Sequence, residues 1–213
     1  MIRVMKSEIV PQSLLKTKRY DGEDTKNQLM EDQREKCYIC ERYLETDFTI
    51  DHLHSQKFYP ELIKGWKNLY LACSYCNEKK KNDFDNILNP SEVNIEDEIQ
   101  QSIDFRKKKA IFKALVSSVE HDETIKLLER VFNGTRKMRN LKENRFFNRA
   151  MHEVIDFLND VNEYKKRPSP ETEKTVREEL SIKENFLGFK YWVIRNDPLL
   201  MQVFSTDIVW NKK

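Results

Sequence analysis

The apolar positions of this chain fall into short, dissimilar patterns that predict an α+β protein, mostly helical. From Thr25 to Lys36 the residues suit a helix with Leu29 and Met30 as its apolar contacts. Phe48-Thr49-Ile50 reads as a strand, yet it runs straight into Asp51-His52, polar where a half-buried strand should be apolar. A helix is predicted from about Ser74, which sets Asn77 and Lys80 within one turn of each other. Ser102 to Val116 stays open, because DFRKKKAIFKAL suits a basic strand as well as an amphipathic helix. His121 to Phe132 carries Ile125, Leu127, Leu128 and Val131 at near-helical spacing, and Asn133-Gly134 supplies a C-cap. The longest predicted helix spans Lys137 to Tyr164, with Leu141, Phe147, Met151, Val154, Ile155 and Leu158 as its stripe. Pro168 and Pro170 interrupt before another helix, Glu171 to Leu180. The aromatic stretch from Phe186 to Trp192, with Trp210, is read as core rather than as a base-stacking surface.

These patterns divide the chain into a lead segment and helix (1–36), a compact core (37–90) and a helical C-terminal region (91–213) that could dock a partner or DNA. The lead is polar and irregular as far as the Asp21-Gly22-Glu23-Asp24 turn, and Asn89-Pro90 closes the core ahead of an acidic stretch from Glu92 to Glu98. The opening MIRVMKSEIVPQSLLK has no apolar run long enough for a signal peptide or a membrane span, so a cytoplasmic, membrane-free protein is expected.

Charge changes the picture only locally. Thirty-eight basic residues face 36 acidic ones among 213, a formal net charge of +2, so any nucleic-acid contact must come from a local patch. Lys79, Lys80 and Lys81 form the densest positive run near the core and are read as phosphate contacts. Arg136, Arg139, Lys142, Arg145 and Arg149 recur at helical spacing; a DNA-backbone contact and a solvated face paired with Glu143 and Glu153 explain them equally well. His121 and His152 read as ordinary packing or surface histidines.

All four cysteines fall in two Cys-x-x-Cys pairs, Cys37/Cys40 and Cys73/Cys76. Four thiolates in two knuckles fit a closed tetrahedral structural zinc site and a reducing compartment better than two disulfides. A structural zinc site does not require Asp51-His52 on one arm and Asn77-x-x-Lys80 on the other.

The order Cys-x-x-Cys, Asp-His, Asn-Leu, Cys-x-x-Cys-Asn, x-x-Lys resembles the HNH endonuclease family in its form with an extra zinc knuckle. The resemblance implies a ββα-metal unit around one catalytic divalent ion. It further implies Asp51 and Asn77 as ligands of that ion, His52 as general base, Asn68 as the residue steadying the base or its loop, and Lys80 as a lysine near phosphate. Ser55 stands where the family often has proline, so the loop exit should differ, and the pattern leaves His54 without a role. The wider layout resembles the HNH subunits that accompany ABC-type ATPases in Septu and retron-associated anti-phage systems. That implies a separate ATPase partner; no nucleotide-binding loop of the Gly-x-x-x-x-Gly-Lys-Ser/Thr kind occurs here. A double-strand break would require two copies, so a homodimer is a candidate assembly.

The chemistry points the same way. Oxygen donors from Asp51 and Asn77 suit Mg²⁺ or Mn²⁺ rather than a second zinc, and a near-neutral imidazole suits proton removal from water. Because adjacent strand residues face opposite ways, a bend or bulge at Asp51-His52 is expected to bring both to one phosphate. The resulting expectation is a metal-dependent DNA endonuclease. Its alternatives are a zinc-stabilised nucleic-acid-binding module without catalysis and an RNase or tRNase toxin effector.

Overall fold

The computed structural model describes residues 1–17 and 19–211. The elements run α1 (Gln12–Lys16), α2 (Glu23–Asp32), β1 (Thr49–His52), β2 (Leu69–Ala72), α3 (Ser74–Lys80), α4 (Ile95–Glu98), β3 (Ile99–Asp104), β4 (Lys109–Ala114), α5 (Val119–Asn133), α6 (Leu141–Lys166), α7 (Pro170–Glu179), α8 (Leu187–Arg195) and α9 (Pro198–Phe204). Two antiparallel pairs, β1–β2 and β3–β4, make up the sheet structure among the described residues. Two short 3₁₀ turns, Pro60–Leu62 and Trp66–Asn68, carry the chain from β1 back to β2.

The region after residue 90 is mainly helical but carries a hairpin just after the single turn α4, so the ambiguous stretch resolves as strand. Alternation decides it: on β4, Ala110 and Phe112 are buried while Lys109, Ile111 and Lys113 are exposed. The helices that follow are set by their caps. Ser118 accepts from the His121 amide at the start of α5, and Gly134 ends it at φ 80°, where an added Cβ would meet the Glu143 carboxylate. Asn140 and Glu143 form a reciprocal capping box, which starts α6 at Leu141 rather than at Lys137. Leu141 is therefore an exposed first-turn residue, and the buried stripe is Phe146, Phe147, Ala150, Val154, Phe157 and Val161.

One apolar cluster reaches from Met1 to Phe189, joining the lead segment, the β1–β2 unit, the β3–β4 hairpin, α5 and the first half of α6. The lead is less irregular than its composition implies. Met1, Ile2, Arg3 and Val4 are buried, with the Arg3 amide on Glu96 Oε2 at 2.7 Å and the Val4 amide on Pro90 O at 2.8 Å. A second cluster packs Phe157 and Val161 of α6 with Val176, Leu180, Tyr191, Trp192, Leu200 and Phe204. The aromatic tail is thus core: Phe186, Phe189 and Tyr191 are buried, and Trp210 Nε1 donates to Leu180 O. No helix among the described residues is long and apolar enough to cross a membrane.

A candidate hydrolytic site beside a four-cysteine cluster

The first knuckle is shaped by residues in left-handed conformations, Arg34, Glu35 and Glu41, and tied to β2 by the Tyr38 amide on Leu71 O at 3.0 Å. Gln33 adds a second tie, accepting from the Leu71 amide at 2.7 Å and donating to Leu71 O at 3.0 Å. The second knuckle caps α3: Cys73 is its N-cap, and Sγ accepts from the Cys76 amide. Cys37, Cys40, Cys73 and Cys76 are buried with their sulfurs within 4.8 Å of one another, and Cys40 and Cys73 are 3.9 Å apart. A tetrahedron with metal–sulfur arms of about 2.3 Å has edges of about 3.8 Å, so the four form a site that can hold a metal ion such as zinc. Arg42 stands beside them. Burial opposes its charge, but Cys73, Cys40 and Asp47 together outweigh burial and raise its pKa.

β1 and β2 pair in unbroken register, with Asp51 opposite Tyr70 and His52 opposite Leu69. The expected bulge is not there, and the two side chains take opposite faces. Asp51 Oδ2 accepts from Tyr38 OH at 2.6 Å and lies 3.6 Å from Lys80 Nζ. Burial raises the Asp51 pKa, with Lys80 and then Tyr38 working against that rise. Lys80 Nζ also donates to His52 O at 2.6 Å, and its side chain has no exposure at all. That is the position of an internal counter-charge.

On the other face, His52 Nε2 lies 2.9 Å from Ile63 O. A carbonyl can only accept, so the neutral ring carries its proton on Nε2 and leaves a lone pair on Nδ1. The exposed Gln56 donates to that lone pair through Nε2 at 3.1 Å. Tyr20, from the lead segment, packs edge-on against the imidazole at 4.7 Å between centroids. His52 is 4% exposed, and burial lowers its pKa.

Asn68 closes the loop that follows β1. Its Oδ1 accepts from the His54 amide at 2.7 Å, and its Nδ2 donates to His54 O and Leu62 O. Ser55, where a proline was to be expected, binds the Asp85 carboxylate through its amide at 2.6 Å and its hydroxyl at 2.8 Å. Asp85 O also accepts from His54 Nδ1 at 2.7 Å. Sequence reasoning missed Asp85; the signal for it was the missing proline, which left a loop needing another anchor.

Asn77, half-buried, lines an open cleft of about 560 Å³ with Thr49, Ser74, Glu78, Lys81 and Asn82. Thr49 and Asp51 share a face of β1, so Asn77 and Asp51 lie on the same side of the hairpin, away from His52. The three lysines part company. Lys79 pairs with the buried Glu143 at 2.5 Å, Lys80 points inward to Asp51, and Lys81 is exposed at φ 50°.

Residues 37–83, the span that holds the four cysteines, Asp51, His52, Asn68, Asn77 and Lys80, match the family model described as HNH endonuclease. No curated protein and no solved structure matches the chain.

Proposed function

We propose that the HNH domain at residues 37–83 hydrolyses phosphodiester bonds in DNA, with His52 as the general base. The observation that carries this reading is the imidazole held by Ile63 O, which fixes the tautomer and leaves Nδ1 as the basic atom within a span matched to HNH endonucleases. Displacement of the exposed Gln56 amide by water would put the nucleophile at Nδ1. The proton passes to Nδ1, the water oxygen attacks phosphorus, and the bond to the 3′ oxygen breaks; that oxygen takes a proton from solvent water, leaving 5′-phosphate and 3′-hydroxyl ends. Asn68 holds the loop on which Ile63 and His54 sit. Lys80, bonded to His52 O, keeps the end of β1 in place from behind.

The four-cysteine cluster fits zinc, whose part is to hold the knuckles in place. A catalytic Mg²⁺ or Mn²⁺ supplies charge neutralisation to phosphodiester hydrolysis in general. Asp51 and Asn77 do not fit such an ion as they stand, because Asp51 is buried with Oδ2 taken up by Tyr38 and Lys80, while Asn77 opens onto the cleft beside Thr49.

The test offers supercoiled plasmid, single-stranded DNA and RNA to the purified chain with Mg²⁺, Mn²⁺ or EDTA. DNA cleavage that stops in EDTA supports a metal-dependent DNA endonuclease. Cleavage of RNA alone would make it a ribonuclease, and binding without cleavage by zinc-loaded protein would make it a binding module. The reading extends to an effector role in an anti-phage system beside a separate ABC-type ATPase. It rests on the layout of a short nuclease unit ahead of a mainly helical extension, and co-purification with such an ATPase tests it.

A further inference from the structure

Outside residues 37–83 lies a basic cleft of roughly 740 Å³, built from the β3–β4 turn, the end of α5 and the α5–α6 link. Eight of its fourteen lining residues are Lys or Arg, and Glu129 is the lone acid among them. In a chain with 38 basic and 36 acidic residues that ratio marks a local concentration of charge, not a reflection of composition. Lys108, Lys109, Lys126, Arg136 and Lys137 are exposed, and no ion pair is recorded for any of them among the described residues.

Arg139 ties the walls of the cleft together. Arg139 Nε donates to Phe132 O at 3.0 Å and Nη2 to Lys108 O at 2.8 Å, while its guanidinium stacks on Phe147 at 3.7 Å. It thereby knits the hairpin turn to the ends of α5 and α6 and covers one of the carbonyls at the negative end of α5, which would otherwise repel an anion. Lys108 sits at φ 49°, a left-handed conformation usually given to Gly or Asn and strained for other residues. A lysine there projects charge from a place where turn chemistry alone would choose otherwise. The cleft also adjoins the HNH domain: Arg130 donates to Lys79 O at 3.3 Å and to Asp83 Oδ2 at 2.5 Å, at the end of α3.

We infer that this cleft binds the backbone phosphates of the nucleic acid that the HNH domain cuts. The ligand class follows from the charge, since repeated phosphates match cations on three elements without needing base edges. The inference builds on the nuclease reading, but its test does not depend on cleavage.

Fluorescence anisotropy with labelled duplex DNA, single-stranded DNA and RNA, in the His52→Ala background, measures binding across a NaCl series. Combined Lys108→Glu, Lys109→Glu and Lys137→Glu should weaken binding of the preferred polymer at least about tenfold. On duplex DNA it should reduce the slope of log affinity against log salt by about 2–3, at roughly 0.9 per lost phosphate contact. The matching Lys→Gln triple should give a smaller loss in the same direction, with an unchanged melting temperature showing that the fold is kept. Whichever polymer binds most tightly identifies the source of the phosphates. Unchanged affinity and slope in a folded charge-reversed triple, or no nucleic-acid binding at 50 mM salt, would overturn the inference. The nuclease reading fails separately, if the wild type binds but cuts nothing.

Discussion

Residues 37–83 and the C-terminal helices are held together by different means. The first region has two four-residue strands and one short helix. It carries the four-cysteine cluster, which can hold a metal ion, and draws further support from neighbours: the lead segment, α5, and Tyr75 stacked on Phe146 of α6. The second cluster is an ordinary apolar core of Phe157, Val176, Tyr191, Phe204 and their neighbours, with capped helices around it. Both regions bury charged groups: Asp51 faces Lys80 in the first, and the fully buried Lys190 pairs with Glu179 beside Phe157 in the second, so what sets the first apart is the cysteine cluster.

The largest effect expected from this contrast follows loss of a thiol. Cys73→Ser should release the metal and melt the β1–β2 unit. Structural zinc contributes roughly 10–16 kcal/mol of folding energy in small fingers, comparable to or larger than the stability of most whole domains. Metal analysis alongside thermal unfolding checks it; retained metal and an unchanged melting curve would remove the cluster from the account. Phe204→Ala acts on the other side of the contrast. It should cost about 3–5 kcal/mol through the cavity left in the second cluster, yet leave the metal in place. Metal release in this variant would show that the two regions do not separate.

A smaller loss is expected from Lys80→Met, up to about 3–5 kcal/mol, because it strips the buried Asp51 of its charge partner. Proton uptake by Asp51, whose pKa burial already raises, limits that cost. Urea melts at pH 5 and pH 8 should show a larger deficit at pH 8, where the carboxylate has to be charged. The finest effect is on pH dependence. The His52 pKa is lowered from its ordinary value near 6.5, so its neutral form persists to lower pH. Its contribution to stability is fully present above 6.5 and is lost as pH falls through the folded value. The acid limb of the cleavage rate should likewise have its midpoint below 6.5, measured as single-turnover rate against pH.

The same contrast explains what could be read from the chain. The cysteine spacing, Asp51-His52, Asn68, Asn77 and the α3 start were legible because each is a short-range pattern. The partners that set their orientation were not. Asp51 finds Tyr38 and Lys80, and His52 finds Tyr20 and Ile63, through folding of loops whose contacts no local period encodes. With each face so occupied, β1 has no need of the expected bulge. Lys79 looked free for phosphate until Glu143, 64 residues on, was placed against it. The β3–β4 hairpin was obscured by its own charge, since the lysines of the turn hide the alternation of Ala110 and Phe112. The basic residues from Arg136 to Arg149 suggested one helical strip. The capping box at Asn140 splits them, leaving Arg136 and Arg139 at the basic cleft and the rest on α6.

The account stands most directly on His52. Single-turnover nicking of supercoiled plasmid by wild type and His52→Ala, matched for zinc content and melting temperature, measures its part. The account predicts a loss of about 10²–10⁴-fold in rate with DNA binding retained. Equal rates from the two proteins would contradict it and send the search for the base elsewhere in the domain.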